Sequence, residues 1–249
     1  MVKAFLEGVK APGMPRLALG IMVPHAGYVY SGRVAGEVYR RLTPPETAVL
    51  IGPNHHGAGA SAAIMVEGEW ATPLGQVQVD TALAAALKAE SPEIQVDDNA
   101  HRGEHSLEVQ LPFLQTLNPE IRIVPLILSV SNLPTLVGIG RHLAAAIRKS
   151  GGHPLIVASS DMNHYESHEE TLAKDTHALE AVLALDDKGL WEAVRKHGIS
   201  MCGYMPTIVM ISAAKELGAS RAELVAHTTS AEVSGDRSHT VGYAGVIVE

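Results

Sequence analysis

The sequence predicts an α/β fold: a single-domain sandwich with a largely parallel central sheet flanked by helices. Apolar runs of strand length alternate with helix-length segments, the pattern that builds such a sheet. No repeat, low-complexity tract or linker divides the chain, so residues 1–249 read as one domain. Three of the apolar runs also lead straight into a histidine or aspartate. In open α/β sheets the carboxyl ends of neighbouring strands share one crevice, and ligands bind there.

The elements follow in order. Residues 1–10 read as a short helix, broken by Ala11-Pro-Gly-Met-Pro15. A strand covers about 17–23, and Ser31 caps a helix over about 32–42 that Thr43-Pro-Pro45 stops. The strand at 47–52 runs into Gly52-Pro-Asn-His-His-Gly57, whose glycines suit a tight loop close to a ligand. Short strands occupy 60–79 around Gly68 and the Thr72–Gly75 turn, and Asp80 caps a helix to about 89. A helix is expected over 104–117, then strand 121–128, helix 133–149 and strand 154–159. Helices at 168–184, 187–197 and 205–217 precede strands at 222–228 and 241–248.

Composition narrows the function classes. An apolar fraction of 46% supports a sizeable core, filled mainly by aliphatic side chains because aromatics make up 4%. A net charge of −8 without a Lys/Arg cluster argues against nucleic-acid binding. One cysteine, Cys202, excludes an internal disulfide and fits a reducing compartment. No signal-peptide core or membrane-length apolar run is present, so a soluble cytoplasmic protein is expected.

The candidate site residues sit at strand ends and helix starts. Leu17–Pro24 delivers His25, and Thr47–Asn54 delivers His55 and His56. Adjacent residues of an extended chain point opposite ways, so only one of that pair enters a given pocket, and the other, His56, faces outward or supports a neighbour or substrate. Asn54 orients a ligand or closes the turn. His25 and His55 supply two imidazoles, ligands suited to Fe, Zn, Cu or Ni. In Ala100–Gln110, helical spacing pairs His101 with His105, Glu104 with Glu108 and His105 with Glu108. This set reads either as a second metal site or, with Glu104 a helix-start charge, as His105 and Glu108 reaching the pocket as supporting or substrate-touching groups. Asp161 and His164 follow the 154–159 strand as an acid/base unit, histidine being the side chain that titrates nearest neutrality. Cys202 precedes a helix opened by Pro206, a position that lowers a thiol pKa and favours thiolate, unless the side chain simply fills core space. Neither a Gly-x-Ser-x-Gly elbow nor a Walker A or Gly-x-Gly-x-x-Gly fingerprint is present.

Taken together, Pro24-His-Ala-Gly-Tyr28, Gly52-Pro-Asn-His-His56, Glu104-His-Ser-Leu-Glu-Val-Gln-Leu-Pro112, Ser159-Ser-Asp-Met-Asn-His164 and Cys202-Gly203 resemble the Memo family, as does the tail Val241-Gly-Tyr-Ala244. The resemblance runs in order over about residues 17–249. In bacteria and archaea the family is known as the B component of the AmmeMemoRadiSam set, which implies a functional link to those partner proteins. It is similar in fold to class III extradiol dioxygenases, which hold Fe(II) with two His and one Glu and use a further His as acid/base. Carried over, the resemblance places His25 and His55 at the His ligand positions, Cys202 at the Glu position and His164 at the acid/base position beside Asp161. A thiolate is softer than a carboxylate, shifting preference toward Cu or Zn, and it is oxidisable. Family members usually carry an Ala-Gly-Ser-aromatic-Tyr-Pro segment near the site. This chain starts beyond it, which implies an abbreviated start or an open pocket wall.

The leading expectation is a Memo-like, metal-dependent oxidoreductase of dioxygenase type, taking O2 and a small organic substrate at a His/His/Cys-bound Fe(II). Two rivals use the same cleft. One is a non-catalytic peptide- or ligand-binding protein, in keeping with the adaptor role of animal Memo. The other is a zinc-dependent hydrolase using a metal-bound water.

Overall fold

A computed structural model describes residues 1–7 and 13–249. Helix α1 spans Val2–Glu7; the rest of the helix expected over 1–10, and the start of the break after it, lie outside the described residues. Strand β1 (Gly20–Val23) leads to α2 (Tyr28–Tyr39), and β2 (Thr47–Pro53) is buried along its whole length. Three short strands follow, β3 (Ala62–Ile64), β4 (Glu69–Thr72) and β5 (Gly75–Val79), then α3 (Thr81–Glu90) and β6 (Gln95–Val96). As expected, Asp80 caps α3, accepting from the Leu83 N–H at 3.1 Å.

After 3-10 turns at Asp98–His101 and Glu108–Gln110 come α4 (Leu111–Leu117), β7 (Arg122–Leu128), α5 (Leu133–Ser150) and β8 (Leu155–Ser159). The chain continues through β9 (His164–Glu166), α6 (His168–Leu183), α7 (Asp187–His197) and α8 (Tyr204–Glu216). It ends with β10 (Ala222–Thr229), the short α9 (Ala231–Ser234) and β11 (Thr240–Val248).

The main sheet runs β10-β11-β1-β8-β2-β7-β3-β6. Its centre, β1-β8-β2-β7, is parallel, while β11 pairs antiparallel with both β1 and β10, and β3 pairs antiparallel with β7. Side chains alternate across a strand, and the two faces bury separate cores. Met22, Val49, Ile51, Val124 and Ile156 pack under α3, α5, α6, α7 and α8. Ile21, Val23, Leu50, Ile123 and Val157 pack under α1, α2 and α4. With both faces covered, the central strands read as continuous apolar runs.

Two element expectations are corrected. Helix α2 begins three residues before Ser31, with Gly27 at its N-cap. Ser31 is buried inside it, its hydroxyl donating to the Ala26 carbonyl at 2.8 Å. The helix expected over 104–117 is α-helical only from Leu111. The Glu104 carboxylate accepts the Ser106 N–H at 2.9 Å, which keeps residues 104–107 out of the helix. The helical pairings within 101–108 therefore do not form, and His101 lies apart, buried edge-on to Trp70.

The order β1-β8-β2 matters most. It brings the carboxyl ends of three parallel strands side by side, with Val23 beside Ser159 and Ile51 beside Ala158. His25, Asp161 and His55 leave the sheet within a few residues of those ends. Among the described residues no helix is long and apolar enough to cross a membrane.

Candidate metal centre

His25 is 2% exposed, and both ends of it are fixed. Asp161, arriving from β8, accepts the His25 N–H at 2.8 Å and the Ala26 N–H at 3.2 Å on one carboxylate oxygen. The ring Nδ1 lies 3.0 Å from Ser159 Oγ. That hydroxyl donates to the Ser106 carbonyl at 2.6 Å and accepts from Gln110 Nε2 at 2.8 Å. Its one hydrogen is thus engaged, so His25 Nδ1 must be the donor and Nε2 carries the lone pair. Burial, only partly offset by Asp161, holds the imidazole at about 4, below the ordinary 6.5. His25 is therefore neutral near neutrality, the state a metal ligand requires.

His55 is tied to Glu104, whose side chain is 1% exposed. The carboxylate accepts the His55 N–H at 2.8 Å and its ring Nδ1–H at 2.9 Å, besides the Ser106 N–H. Burial alone would raise the Glu104 pKa. These hydrogen bonds outweigh it and hold the group at about 2. The same bond raises the pKa of His55. With Nδ1 bonded to a carboxylate, Nε2 is the atom His55 offers outward, an arrangement common behind metal-ligating histidines.

His105 completes a compact set. One ring nitrogen from each of His25, His55 and His105 lies within 4.8 Å of the others. A single point therefore lies within about 2.8 Å of all three nitrogens, against about 2.0–2.1 Å for a metal–imidazole bond. His105 stacks on His55 at 4.9 Å between ring centroids, and both meet His25 edge-on. Its Nδ1 is 3.7 Å from Glu104, too far for a hydrogen bond, and its side chain is 49% exposed. Of the three rings it is the least constrained.

Cys202 stands on the flank of this set, with Sγ 3.2 Å from His25 Nε2. Two ligands of one tetrahedral ion, with bonds of about 2.0 and 2.3 Å, stand about 3.5 Å apart. The loop approaches closely because residue 203 is glycine: a Cβ there would sit 2.3 Å from the Ser159 carbonyl oxygen. The thiol departs from the lowering expected at a helix start. Burial, reinforced by the charge of Asp161, pushes it well above its ordinary value, and the hydrogen bonds around it do not compensate. Without an ion the thiol stays protonated, its one hydrogen within reach of the His25 lone pair at 3.2 Å and the Asp161 carbonyl at 3.7 Å.

A family model described as Memo-like protein matches residues 1–247. The chain belongs to the Memo family. It is 45% identical over 246 residues to a MEMO1 family protein of Pyrobaculum aerophilum, covering 96% of this chain and 88% of that one. It is 44% identical over 249 residues to a MEMO1 family protein of Methanosarcina barkeri, covering 100% and 92%. The crystal structure of an uncharacterized protein from Escherichia coli K12 has the same fold, with a TM-score of 0.61 at 16% identity, covering 94% of this chain and 100% of that one.

The other predicted positions of this Memo-family chain fall as follows. Asn54 closes the loop after β2, donating to the Ala58 carbonyl at 2.7 Å. His56 is exposed, and so is Glu108, whose charge bears on the half-buried Tyr28 hydroxyl. The pairing of Asp161 with His164 is corrected. Asp161 holds the backbone of His25 and Ala26, whereas His164 bonds through Nδ1 to the Ser200 carbonyl at 2.9 Å. The supporting residues Ser159, Ser106, Gln110 and Tyr39 went unread in the sequence. Gln110 Oε1 accepts from the Tyr39 hydroxyl at 3.0 Å, which aims its amide nitrogen at Pro24 O and Ser159. Only Gln110, a polar side chain within an apolar helix start, carried a signal.

Proposed function

We propose that this chain is a metal-dependent oxidoreductase of dioxygenase type, taking O2 and a small organic substrate at a histidine-held iron. The observation that carries the reading is the convergence of three imidazole nitrogens, with the Nδ1 atoms of His25 and His55 both engaged behind them. His25 and His55 are the anchored donors, His105 is a further, replaceable one, and Cys202 would join from beside His25, outside that compact set. Imidazole and thiolate also suit Cu and Zn, so Fe(II) is the expected rather than the exclusive ion. When bound, such an ion supplies open positions for O2 and substrate and the electron exchange between them.

The chain's own residues do the rest. Asp161 fixes the backbone that presents His25. Glu104 orients His55 and neutralises part of the ion's charge. His164 bonds to a carbonyl through Nδ1 and so keeps Nε2 as a proton acceptor. His164→Ala in iron-loaded protein is expected to keep its metal while O2 uptake with a turned-over substrate falls about 100-fold or more. Undiminished uptake in that variant would remove His164 from the mechanism.

A second reading is favoured by the surface near the site. Tyr165 is 76% exposed at φ +64 and Tyr30 is 44% exposed. Both bear on the buried Tyr243 hydroxyl, together with Asp161. An exposed aromatic held in a strained backbone, Tyr165, with a second exposed aromatic, Tyr30, on α2, suits the docking of a peptide or ligand. A metal-loaded protein that consumes no O2 with any substrate, yet binds a peptide through Tyr165, would support this reading over the first.

A further inference from the structure

One ionisable pair built on a buried carboxylate has no part in the centre described so far. Asp175 on α6 is fully buried, and its Oδ2 accepts from His227 Nε2 on β10 at 2.9 Å. A carboxylate in such a place is costly unless its oxygens are well bonded. Its other oxygen accepts the Asn163 N–H at 2.9 Å. Space for it exists because β11 carries glycine at 242, where a Cβ would lie 2.0 Å from Asp175 Oδ2. Gly242 grips the same loop, accepting the Met162 N–H and donating to the Asn163 carbonyl, each at 2.8 Å.

The bonds continue outward from Asn163. Its Oδ1 accepts from the Ser200 N–H at 3.0 Å and the Ser200 hydroxyl at 3.1 Å, and its Nδ2 donates to Glu166 at 2.7 Å. Ser200 in turn holds His164 twice. Its hydroxyl oxygen accepts the His164 N–H at 2.7 Å, and its carbonyl faces His164 Nδ1 at 2.9 Å. A carbonyl has no hydrogen to give, so Nδ1 bears the proton and Nε2 the lone pair.

We propose that Asp175, braced by His227, is a positioning residue that acts through Asn163 and Ser200 to hold His164 in its Nδ1–H tautomer, with Nε2 free to accept a proton. The role of that tautomer rests on the reading of His164 as the acid/base; the relay itself does not.

The test reads the tautomer in metal-free, 15N-histidine-labelled full-length protein by long-range 1H–15N NMR, with Zn(II) affinity measured in parallel. Wild type is expected to show His164 mainly as Nδ1–H. Asp175→Ala removes the anchor, and Asn163→Ala cuts the relay below it while sparing the buried pair. Both are expected to lose the Nδ1–H majority with Zn(II) affinity unchanged. Asn163→Ala decides the matter should Asp175→Ala fail to fold. A His164 tautomer unaltered in folded variants would overturn the proposal. So would a tautomer change matched by an equal loss of Zn(II) binding, since that marks a general collapse. A wild type that binds no metal would instead count against the functional reading and leave the tautomer result standing.

Discussion

Glu104→Gln is expected to weaken metal binding about 10–100-fold, the usual cost of removing the partner behind a ligating histidine. The carboxylate takes three hydrogen bonds from N–H groups: His55 N, His55 Nδ1 and Ser106 N. Glutamine has the same size but only one acceptor oxygen, and its amide NH2 must face at least one of those donors. Leaving a buried donor unsatisfied costs about 1–3 kcal/mol, so the variant also loses stability. The substitution further removes the charge that favours a bound cation. Isothermal titration with Zn(II), beside a denaturant melt of the metal-free variant, separates the two effects. Unchanged affinity would show that His55 needs no carboxylate behind it.

Acid is expected to destabilise the metal-free protein through His25. Its folded value is about 4 against an ordinary 6.5. Between those limits the unfolded chain binds a proton that the folded chain refuses, so stability falls as pH falls across that window. Above 6.5 both states are deprotonated, and the contribution is flat. A shift of this size corresponds to about 3 kcal/mol at full burial. His55 acts in the opposite sense, because its raised pKa adds stability as pH falls toward its ordinary value. The two windows meet at the ordinary histidine pKa and do not overlap. Denaturant midpoints at about pH 7 and about pH 4.5 should therefore converge in His25→Gln relative to wild type. An equally steep loss in that variant would place the acid sensitivity elsewhere.

What the sequence made legible and what it hid divide along range. β1 and β2 were readable because an apolar run buried on both faces ends abruptly in histidine, which places His25 and His55 on one edge of the sheet. Their meeting also needs β8 inserted between the two strands, an order no local pattern carries, although the third apolar run with its aspartate pointed to the same crevice. The bonds within the site were not readable. Glu104 and His55 are 49 positions apart, and Ser159 and His25 are 134 apart. Residues 104–117 carry apolar side chains at helical spacing, but the Glu104 carboxylate captures nearby N–H groups and delays the helix to Leu111. Helical spacing therefore points to His105 as a supporting group on a helix, whereas its ring stacks on His55. Cys202 shows the same limit: a helix start alone predicts a lowered thiol pKa, whereas burial beside Asp161 governs it.

The most direct test of the account is the metal content of protein purified without oxygen, reconstituted with Fe(II) and desalted, in wild type, His25→Ala, His55→Ala and His56→Ala. One iron per chain is expected in wild type and in His56→Ala, whose exposed ring lies outside the compact set, and none in His25→Ala or His55→Ala. Iron retained in either of those two variants, or absent from reconstituted wild type, would contradict it.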